Sequence, residues 1–350
     1  MTRDSEGRIS THGNRTAASK STPRRPTSTD VAAAAGLSRA TVSYVLNDTP
    51  NQVIPESTRQ RVLAAAAALG YTPSAAAKAL RSGRSDVVLC LLPDWPIGAN
   101  VGHLIEQLSV ALARRGLTFV VHPLAGTERA VGELWKAITP VAVVSFEPLP
   151  EQDVATMRSA GIEVTVALLG ATATGPEAFA FSDQRTGRLQ AEHLAAGGHR
   201  KLGYADPDDP RVGGFAAVRL DGVRQACAEL GLAEPAVQTV ALEADSAASA
   251  IGAWRRDGVT AVCAYNDEVA LALFAGLRQL GLAAPADLAV IGVDDIPAAR
   301  LASPPLSTVR ADLPALSGYL ADRITAGLSG EPVPQRPGSD LHALVVRESG

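Results

Sequence analysis

Four neighbouring residues, Arg39, Ala40, Ser43 and Tyr44, share one side of a segment with helical spacing. Residues three to five positions apart lie on the same face of a helix, so these side chains can form one mostly polar surface. A helix of this kind can present side chains to base edges in the major groove, where each base pair has a distinct pattern of donors and acceptors. Arg39 and Ala40, at the start of the segment, are then the principal candidates to read bases, and Tyr44 is a further candidate.

Two short helices are predicted to position this surface. Asp30–Ala35 is alanine-rich, Gly36 interrupts it, and Ser38 can cap a second helix, Arg39–Leu46, through its hydroxyl group. Two helices joined by a glycine-containing turn are typical of a helix-turn-helix, although an ordinary helical corner in another core stays open at this point. The residues that can face one small core are Val31, Ala35, Leu37, Val42, Val45 and Leu46.

Two further helical segments follow the helix pair. The first is predicted from about Pro55 to Leu69, with a proline at its first turn and Gly70 past its end. The second begins with Thr72 and Pro73 and stops at Gly83. The second segment has the cap, first-turn and stop signals of a short independent helix.

These stretches resemble the DNA-binding headpiece and hinge helix of the lactose/galactose repressor (LacI/GalR) family. The matching residues are DVAAAAGLSRATVSYVLN and then TRQRVLAAAAALGYTPSAAAKALRSGRS, and the resemblance extends from about Thr27 to the C-terminus. Many relatives carry arginine where Tyr44 stands, so a guanine contact is not carried over to that position. The resemblance implies phosphate contacts from Ser38, Thr41, Ser43, Asn47 and Tyr71.

The resemblance also implies a role for the segment that ends at Gly83. In the family this hinge folds on DNA and enters the minor groove as a pair. Leu80 matches the leucine that wedges into the central base step, and Ala77 belongs to the same DNA-contacting segment. Such a wedge costs a few kcal/mol of unstacking, which the contacts made by bent DNA offset. From the residues alone, Leu80 would be a helix residue packed on a neighbour.

Composition limits the class of protein. The chain has 350 residues, of which 46% are hydrophobic, so two or three domains with substantial cores are expected. No apolar run reaches the roughly 18 residues that a membrane helix needs, and the N-terminus has no apolar signal core. We therefore expect a cytoplasmic protein with no membrane partner. Cys90, Cys227 and Cys263 are isolated in apolar segments and are typical of reduced core residues.

Charge is distributed unevenly along the chain. Residues 1–84 carry 12 Lys and Arg against 5 Asp and Glu, whereas the remainder carries 20 against 31. A basic front and an acidic body are typical of a nucleic-acid-binding head on a larger body. A basic disordered tail is the alternative, but only six of the twelve positive residues precede Thr27.

From Ser85 onward, apolar strand-like runs alternate with amphipathic helices, which predicts parallel, doubly wound α/β sheets. The strands are too many for one sheet, so we expect two α/β subdomains with a cleft between them. The resemblance implies the same fold, similar to that of periplasmic sugar-binding proteins, with three chain crossings between subdomains. The predicted divisions are a basic disordered leader (1–26), a helix-turn-helix head (27–72), a hinge helix (73–84) and an effector-binding and dimerisation body (85–350), with subdomain one at about 85–182 and 312–338 and subdomain two at about 183–310 and 340–350.

Ligands of open α/β sheets bind beyond the carboxyl ends of the strands. The residues that follow predicted strands there are Asp94, Phe146, Asn266 and Asp294. By resemblance, Arg219 opens into the same cleft, and Phe181 matches a position that lines the ligand in relatives. Arginine, asparagine and aspartate side chains that converge can hydrogen-bond hydroxyls, a base edge or a carboxylate.

Each of these polar residues also has a local explanation. Asp267 could cap its own helix, and Asp294 with Asp295 could form a turn. Arg219 could pair with Asp221 or Glu229 on its own helix. The residues alone leave both interpretations open.

The predicted ligand class is a sugar, a nucleobase or a related metabolite. Sugar-binding relatives often place an aromatic residue after the strand that corresponds to Val237–Leu242, but this chain has Leu242-Glu243-Ala244-Asp245 there. The sequence therefore gives less support to a sugar that stacks on a side chain at this position. The chain has no GxGxxG after a strand, no Walker-A loop, no GxSxG and no metal-ligand spacing among its six histidines, so we expect no enzyme activity, no cofactor and no metal.

The sequence therefore predicts a homodimeric transcriptional regulator that binds a pseudo-palindromic double-stranded DNA operator under control of a small-molecule effector. We expect this regulator to be a repressor. A regulator with a degenerate cleft that a protein partner controls is the alternative. A transport-linked solute receptor conflicts with the head and with the lack of an apolar signal core.

Overall fold

The computed structural model describes residues 26–47, 52–71, 85–124, 131–169, 178–181, 183–335 and 341–350. The described residues up to Tyr71 and those from Ser85 belong to two separate units, the head and the body. The predicted hinge helix, with Ala77 and Leu80, lies outside the described residues, as do residues 1–25. Within the described ranges no helix has the length and apolar character that a membrane span requires.

The head consists of three helices, α1 (Ser28–Ala35), α2 (Arg39–Leu46) and α3 (Glu56–Ala68). Thr27 and Asp30 cap the start of α1 reciprocally, because each side chain accepts a hydrogen bond from the other residue's backbone N–H. Gly36 ends α1 with a φ of 61°, a conformation that glycine adopts without steric cost. The buried core contains Val31, Ala32, Ala35, Val42, Val45, Val62 and Ala66.

The first subdomain of the body is a parallel five-stranded sheet in the order β2-β1-β3-β4-β5. Its core lies between the sheet and the helices on its two faces. Its elements are β1 (Val87–Leu92), α4 (Ala99–Ala113), β2 (Thr118–Pro123), α5 (Val131–Ile138), β3 (Ala142–Ser145), α6 (Glu151–Ser159), β4 (Glu163–Leu169), β5 (Ala178–Phe181) and the later helix α12 (Leu313–Ser329).

The second subdomain is a six-stranded sheet in the order β11-β10-β9-β8-β6-β7. All neighbouring strands are parallel except β10 and β11, which are antiparallel. Its elements are α7 (Asp183–Ala196), β6 (Leu202–Pro207), α8 (Gly213–Glu229), β7 (Ala236–Val240), α9 (Ala244–Arg256), β8 (Ala261–Ala264), α10 (Asp267–Gln279), β9 (Ala289–Val293), α11 (Pro297–Leu301), β10 (Ser307–Ala311) and β11 (His342–Val345).

The predicted fold class, a helical head with a body of two doubly wound α/β subdomains, is confirmed. Buried apolar residues of α12 pack with α4 and β1, so the chain returns to the first subdomain after β10. Helix α4 begins at Ala99. Gly98 precedes α4 without a side-chain cap, so the usual sequence signal for a helix start is missing there.

Helices α7 and α8 cross at two glycines. A Cβ atom at Gly187 would lie 1.9 Å from the carbonyl oxygen of Arg219, and a Cβ atom at Gly222 would lie 2.0 Å from that of Gln184. Both distances are far below a van der Waals contact, so only glycine permits this approach. The close crossing brings the first turn of α7, with Asp183, against the middle of α8, with Arg219.

Candidate DNA-binding face and effector cleft

The predicted reading surface of α2 is exposed in the head. Arg39 and Ala40 are exposed, Tyr44 is 39% exposed, and Ser43 is partly buried. The opposite side of the helix holds Val42 and Val45 in the core. Alternation of apolar and polar positions along α2 therefore fixes which face points outward.

Hydroxyl and amide groups at the two ends of α2 take part in local hydrogen bonds. Ser38 caps the helix, since its Oγ accepts a hydrogen bond of 3.1 Å from the backbone N–H of Thr41. The Ser38 and Thr41 hydroxyls are 2.9 Å apart, and the Asn47 amide donates to the Ser43 carbonyl oxygen. Tyr71 packs on the head core. These contacts hold the ends of α2 in place, and the phosphate contacts of the five residues stay a prediction.

The body contains a cleft of about 480 Å³ at the carboxyl ends of strands from both sheets. Loops after β1, β6, β7, β8 and β9 contribute to its walls, together with the start of α12. This is where open α/β sheets bind ligands. Of the six predicted effector residues, the cleft is lined by Arg219, Asn266 and Asp294.

Arg219 makes a buried ion pair in the wall of the cleft. Its Nε lies 2.7 Å from Oδ1 of Asp183, and its Nη1 donates a 2.7 Å hydrogen bond to the carbonyl oxygen of Tyr265. The guanidinium also lies over the Tyr265 ring, 4.6 Å from the centroid. Burial lowers the pKa of Arg219, but Asp183, Tyr265 and Asp294 together outweigh this effect and the pKa is raised. The alternative that Arg219 pairs with Asp221 or Glu229 on its own helix is wrong. Asp221 accepts hydrogen bonds from Gln184 and Gln225. Glu229 pairs with Arg188.

Asp294 connects the two subdomains. Its Oδ1 accepts a hydrogen bond of 3.0 Å from Nδ2 of Asn100, in the first turn of α4. Asp294 has a φ of 109° and Asp295 a φ of 53°, so the turn expected from the sequence does form, and it directs the Asp294 side chain into the cleft. Burial raises the pKa of Asp294 to about 6, although Arg219 opposes the shift. The carboxyl oxygens of Asp294 therefore lie at the cleft as hydrogen-bond acceptors.

Asn266 and Asp267 have different roles at the start of α10, which the sequence alone did not separate. Asn266, and not Asp267, caps α10: its Oδ1 accepts a 2.9 Å hydrogen bond from the backbone N–H of Val269. Asp267 is fully buried and accepts from the Thr308 hydroxyl at 2.6 Å and the Ile296 N–H at 2.9 Å. Burial raises the pKa of Asp267 to about 7. Asp267 therefore holds the turn that carries Asp294, and Asn266 faces the cleft.

Three aromatic residues that the sequence pattern did not single out line the cleft: Trp95, Phe215 and Tyr265. The Trp95 and Phe215 rings meet edge-on with centroids 5.0 Å apart, and they belong to different subdomains. Leu242 stands at the position discussed above and is 63% exposed. Trp95 and Phe215 therefore supply most of the aromatic surface of this cleft.

The remaining three predicted effector residues are placed differently. Asp94 is largely exposed, outside the cleft lining, with an oxygen 4.0 Å from Nη1 of Arg211. Phe146 is buried behind Trp95, with ring centroids 5.6 Å apart. Phe181 ends β5, and its side chain lies outside the described residues. Thus Trp95, one residue after Asp94, holds the position in the cleft that the strand end predicted for its neighbour.

The described residues contain no group of three or more His, Cys, Asp or Glu side chains arranged to hold a metal ion. All three cysteines are buried, and burial raises the pKa of each thiol. A buried thiol with a raised pKa is chemically inert and is typical of a core residue.

Known proteins match both parts of this architecture. Residues 27–74 match the family described as "Bacterial regulatory proteins, lacI family", and residues 191–350 match the "Periplasmic binding protein-like domain". The HTH-type transcriptional regulator reg1 of Streptomyces lividans is 31% identical over 338 residues, which cover 91% of this chain and 95% of the relative. The chain belongs to the LacI family of DNA-binding transcriptional regulators.

Solved structures of LacI-family members agree with the assignment. The lac repressor dimer bound to operator and the anti-inducer ONPF has a TM-score of 0.74 and 25% identity, with 93% of this chain and 99% of that chain covered. The CelR–cellobiose complex has a TM-score of 0.62 and 28% identity, with 93% and 100% covered. As a LacI-family member, the chain is a transcriptional regulator and not an enzyme.

Proposed function

We propose that this protein is a cytoplasmic repressor that binds a pseudo-palindromic operator as a homodimer. Its affinity for the operator falls or rises when a small molecule occupies the cleft. The observation that carries the DNA-binding part is the exposed face of α2, backed by an apolar core. One such helix contacts few base pairs, and a two-fold dimer reads two half-sites with the same helix. The lac repressor dimer bound to operator supports this arrangement.

The cleft is the proposed effector site. It joins Arg219, Asn266 and Asp294 with three aromatic side chains in a volume of about 480 Å³, which is within the range of small-molecule pockets. CelR bound to cellobiose and the lac repressor bound to ONPF support a sugar or a sugar-like metabolite as the ligand class. The three aromatic side chains supply the aromatic surface that a leucine at position 242 lacks.

Communication between cleft and operator is proposed to run through the hinge segment at residues 73–84. Closure of the cleft would change the order of the hinge helices, and Leu80 would wedge into the central base step only when the helices form. A coupling of roughly 1–3 kcal/mol is enough for a 5–150-fold change in DNA affinity.

The first experiment identifies the operator. Random DNA fragments selected by the purified protein are expected to share two half-sites related by two-fold symmetry. Fragments without two-fold symmetry would contradict the dimeric reading. Operator affinity is then titrated in the presence of a panel of sugars, nucleobases and related metabolites, and a shift in the apparent Kd identifies the effector. If no metabolite binds or shifts the titration, regulation by a protein partner takes the place of the small molecule.

A second experiment tests the hinge. Leu80→Ala is expected to lower specific affinity and reduce DNA bending, because the wedge that kinks the duplex is shortened. Nonspecific affinity, which is mainly electrostatic, should change little. An unchanged bend angle for the variant would remove Leu80 from the proposed mechanism.

A further inference from the structure

The charged groups around the cleft are unbalanced. The lining residues that the structure describes include five carboxylates and two guanidinium groups, with no lysine and no histidine. Both guanidinium groups are already paired with carboxylates. The electrostatic character of the site therefore depends on the three carboxylates that remain.

The charge of Arg219 is already neutralised by a buried carboxylate. Its Nε is bound to Asp183, its Nη1 to the Tyr265 carbonyl oxygen, and one face of the guanidinium is covered by the Tyr265 ring. The Arg219 and Asp183 side chains are only 9% and 5% exposed. An anion that recruited Arg219 would leave the Asp183 carboxylate buried without its partner, which is strongly unfavourable.

The charge of Arg211 is also balanced by a carboxylate, in a pair where the Arg211 side chain is 45% exposed. Its Nη2 lies 2.7 Å from Oδ2 of Asp209, and its Nε lies 3.0 Å from Oδ1 of the same carboxylate. This two-point pairing is the geometry in which arginine and carboxylate groups bind each other most specifically. Arg211 is also 4.0 Å from Asp94, so the nearest surroundings of this guanidinium are acidic as well.

Three carboxylates, those of Asp208, Glu268 and Asp294, remain without an arginine of their own at the cleft. Asp208 and Glu268 are exposed at its rim, and Asp294 lies deeper, held by Asn100. A cleft lined by one sign of charge between low-dielectric walls focuses the field and changes the local concentration of ions. Carboxylates also accept hydrogen bonds and cannot donate them, so they suit a ligand rich in O–H or N–H groups.

We propose that the cleft selects against negative charge: it accepts an uncharged polyhydroxylated ligand, or the amino derivative of one, and excludes sugar acids and phosphorylated sugars. The inference rests on the proposed function only in calling this ligand the effector. The aromatic side chains Trp95, Phe215 and Tyr265 would contact the apolar face of the ligand, and Asp294 would accept its hydroxyl hydrogens.

Trp95 provides a probe that needs no known effector. Of the three tryptophans, Trp135 and Trp254 are buried, whereas Trp95 is partly exposed at the cleft. Collisional quenching of tryptophan fluorescence is measured with caesium, acrylamide and iodide at low ionic strength, and each quenching constant is divided by that of N-acetyltryptophanamide. A Trp95→Phe variant, measured in parallel, isolates the Trp95 signal.

The normalised caesium constant of Trp95 is expected to exceed the iodide constant by about sevenfold or more, since a local potential of one kT concentrates the cation about 2.7-fold and depletes the anion by the same factor. Glu268→Gln should reduce the ratio, whereas Glu331→Gln, at an exposed glutamate outside the cleft lining, should not. Iodide that quenches Trp95 as well as caesium does, or a ratio insensitive to Glu268→Gln, would overturn the proposal.

The metabolite titration then tests the ligand itself in matched triplets, such as glucose, glucosamine and glucuronate, or galactose, galactosamine and galacturonate. A response restricted to neutral or amino members supports the proposal, and a response to an acid or phosphate without one to its neutral counterpart overturns it. Fluorescence quenching does not depend on any effector. A charge-selective cleft with no responding metabolite would therefore contradict the proposed effector and leave the charge selection standing.

Discussion

The head and the cleft use polar residues in opposite ways. In the head, the proposed base-reading residues come from one helix of eight residues, and Arg39, Ala40 and Tyr44 are exposed. In the cleft, Asp183, Arg219 and the Tyr265 carbonyl oxygen come from distant parts of the chain and bind one another. Loss of a head residue should therefore change DNA recognition with little effect on folding, whereas loss of a cleft residue should change folding and recognition together.

The largest effect is expected for Asp183→Ala, which leaves the Arg219 guanidinium buried without its carboxylate. The free energy of unfolding of the body should fall by about 3–5 kcal/mol. Glu229→Ala is the matched control, because it breaks an exposed pair with Arg188 and should cost less than about 1 kcal/mol. Urea unfolding measures both, and equal losses would contradict the distinction between buried and exposed pairs. Arg219→Ala should be destabilised to a similar extent as Asp183→Ala. The effector response of Arg219→Ala must therefore be measured where the variant and the wild type are equally folded.

Asp267 predicts a dependence of stability on pH. Burial raises its pKa from 3.8 to about 7, so the folded state holds this proton more tightly than the unfolded state does. Its contribution is complete below about pH 4 and is lost as the pH rises through about 7, by up to about 4 kcal/mol at 1.4 kcal/mol per pKa unit. Asp267→Asn should flatten the curve of unfolding free energy between pH 4 and pH 8. An exposed control, Asp257→Asn, should keep the wild-type slope; equal slopes for all three proteins would contradict the role of Asp267.

Arg39→Ala tests whether the exposed face of α2 in the head reads bases. We expect relaxed specificity at one symmetric base position, worth about 1–3 kcal/mol, with no change in the melting of the head. Arg61→Ala, at an exposed position on α3, is the control and should leave base preference unchanged. Repeating the fragment selection with each variant measures the effect. If Arg39→Ala lowers affinity for all sequences equally, Arg39 contacts phosphate and does not read bases.

The smallest effect is expected for Ser38→Ala, which removes the cap of α2. Loss of the hydrogen bond to the Thr41 N–H should destabilise the head by about 1 kcal/mol. Ser38→Thr keeps the hydroxyl and should retain most of the stability. Thermal unfolding of the head followed by circular dichroism distinguishes the two variants, and identical midpoints would show that the cap contributes nothing measurable.

Sequence reasoning succeeded where the signal is local. The face of α2 follows from the spacing of Val42 and Val45, and the placement of Asn266 and Asp294 follows from strands that end directly before them. It failed for the partner of Arg219, because Asp183 lies 36 residues away and meets it only through the packing of α7 on α8. It also chose Asp94 where Trp95 lines the cleft, since a strand end locates a loop but not the direction of each side chain in it.

The glycine crossing of α7 and α8 has a mechanical consequence. At Gly187 and Gly222 backbone meets backbone, with no side chain that could change rotamer to absorb a displacement. The two helices are therefore stiffly coupled, and Asp183, the first residue of α7, is bound to Arg219 on α8. A displacement of Arg219 in the cleft wall is therefore expected to move α7 and α8 together.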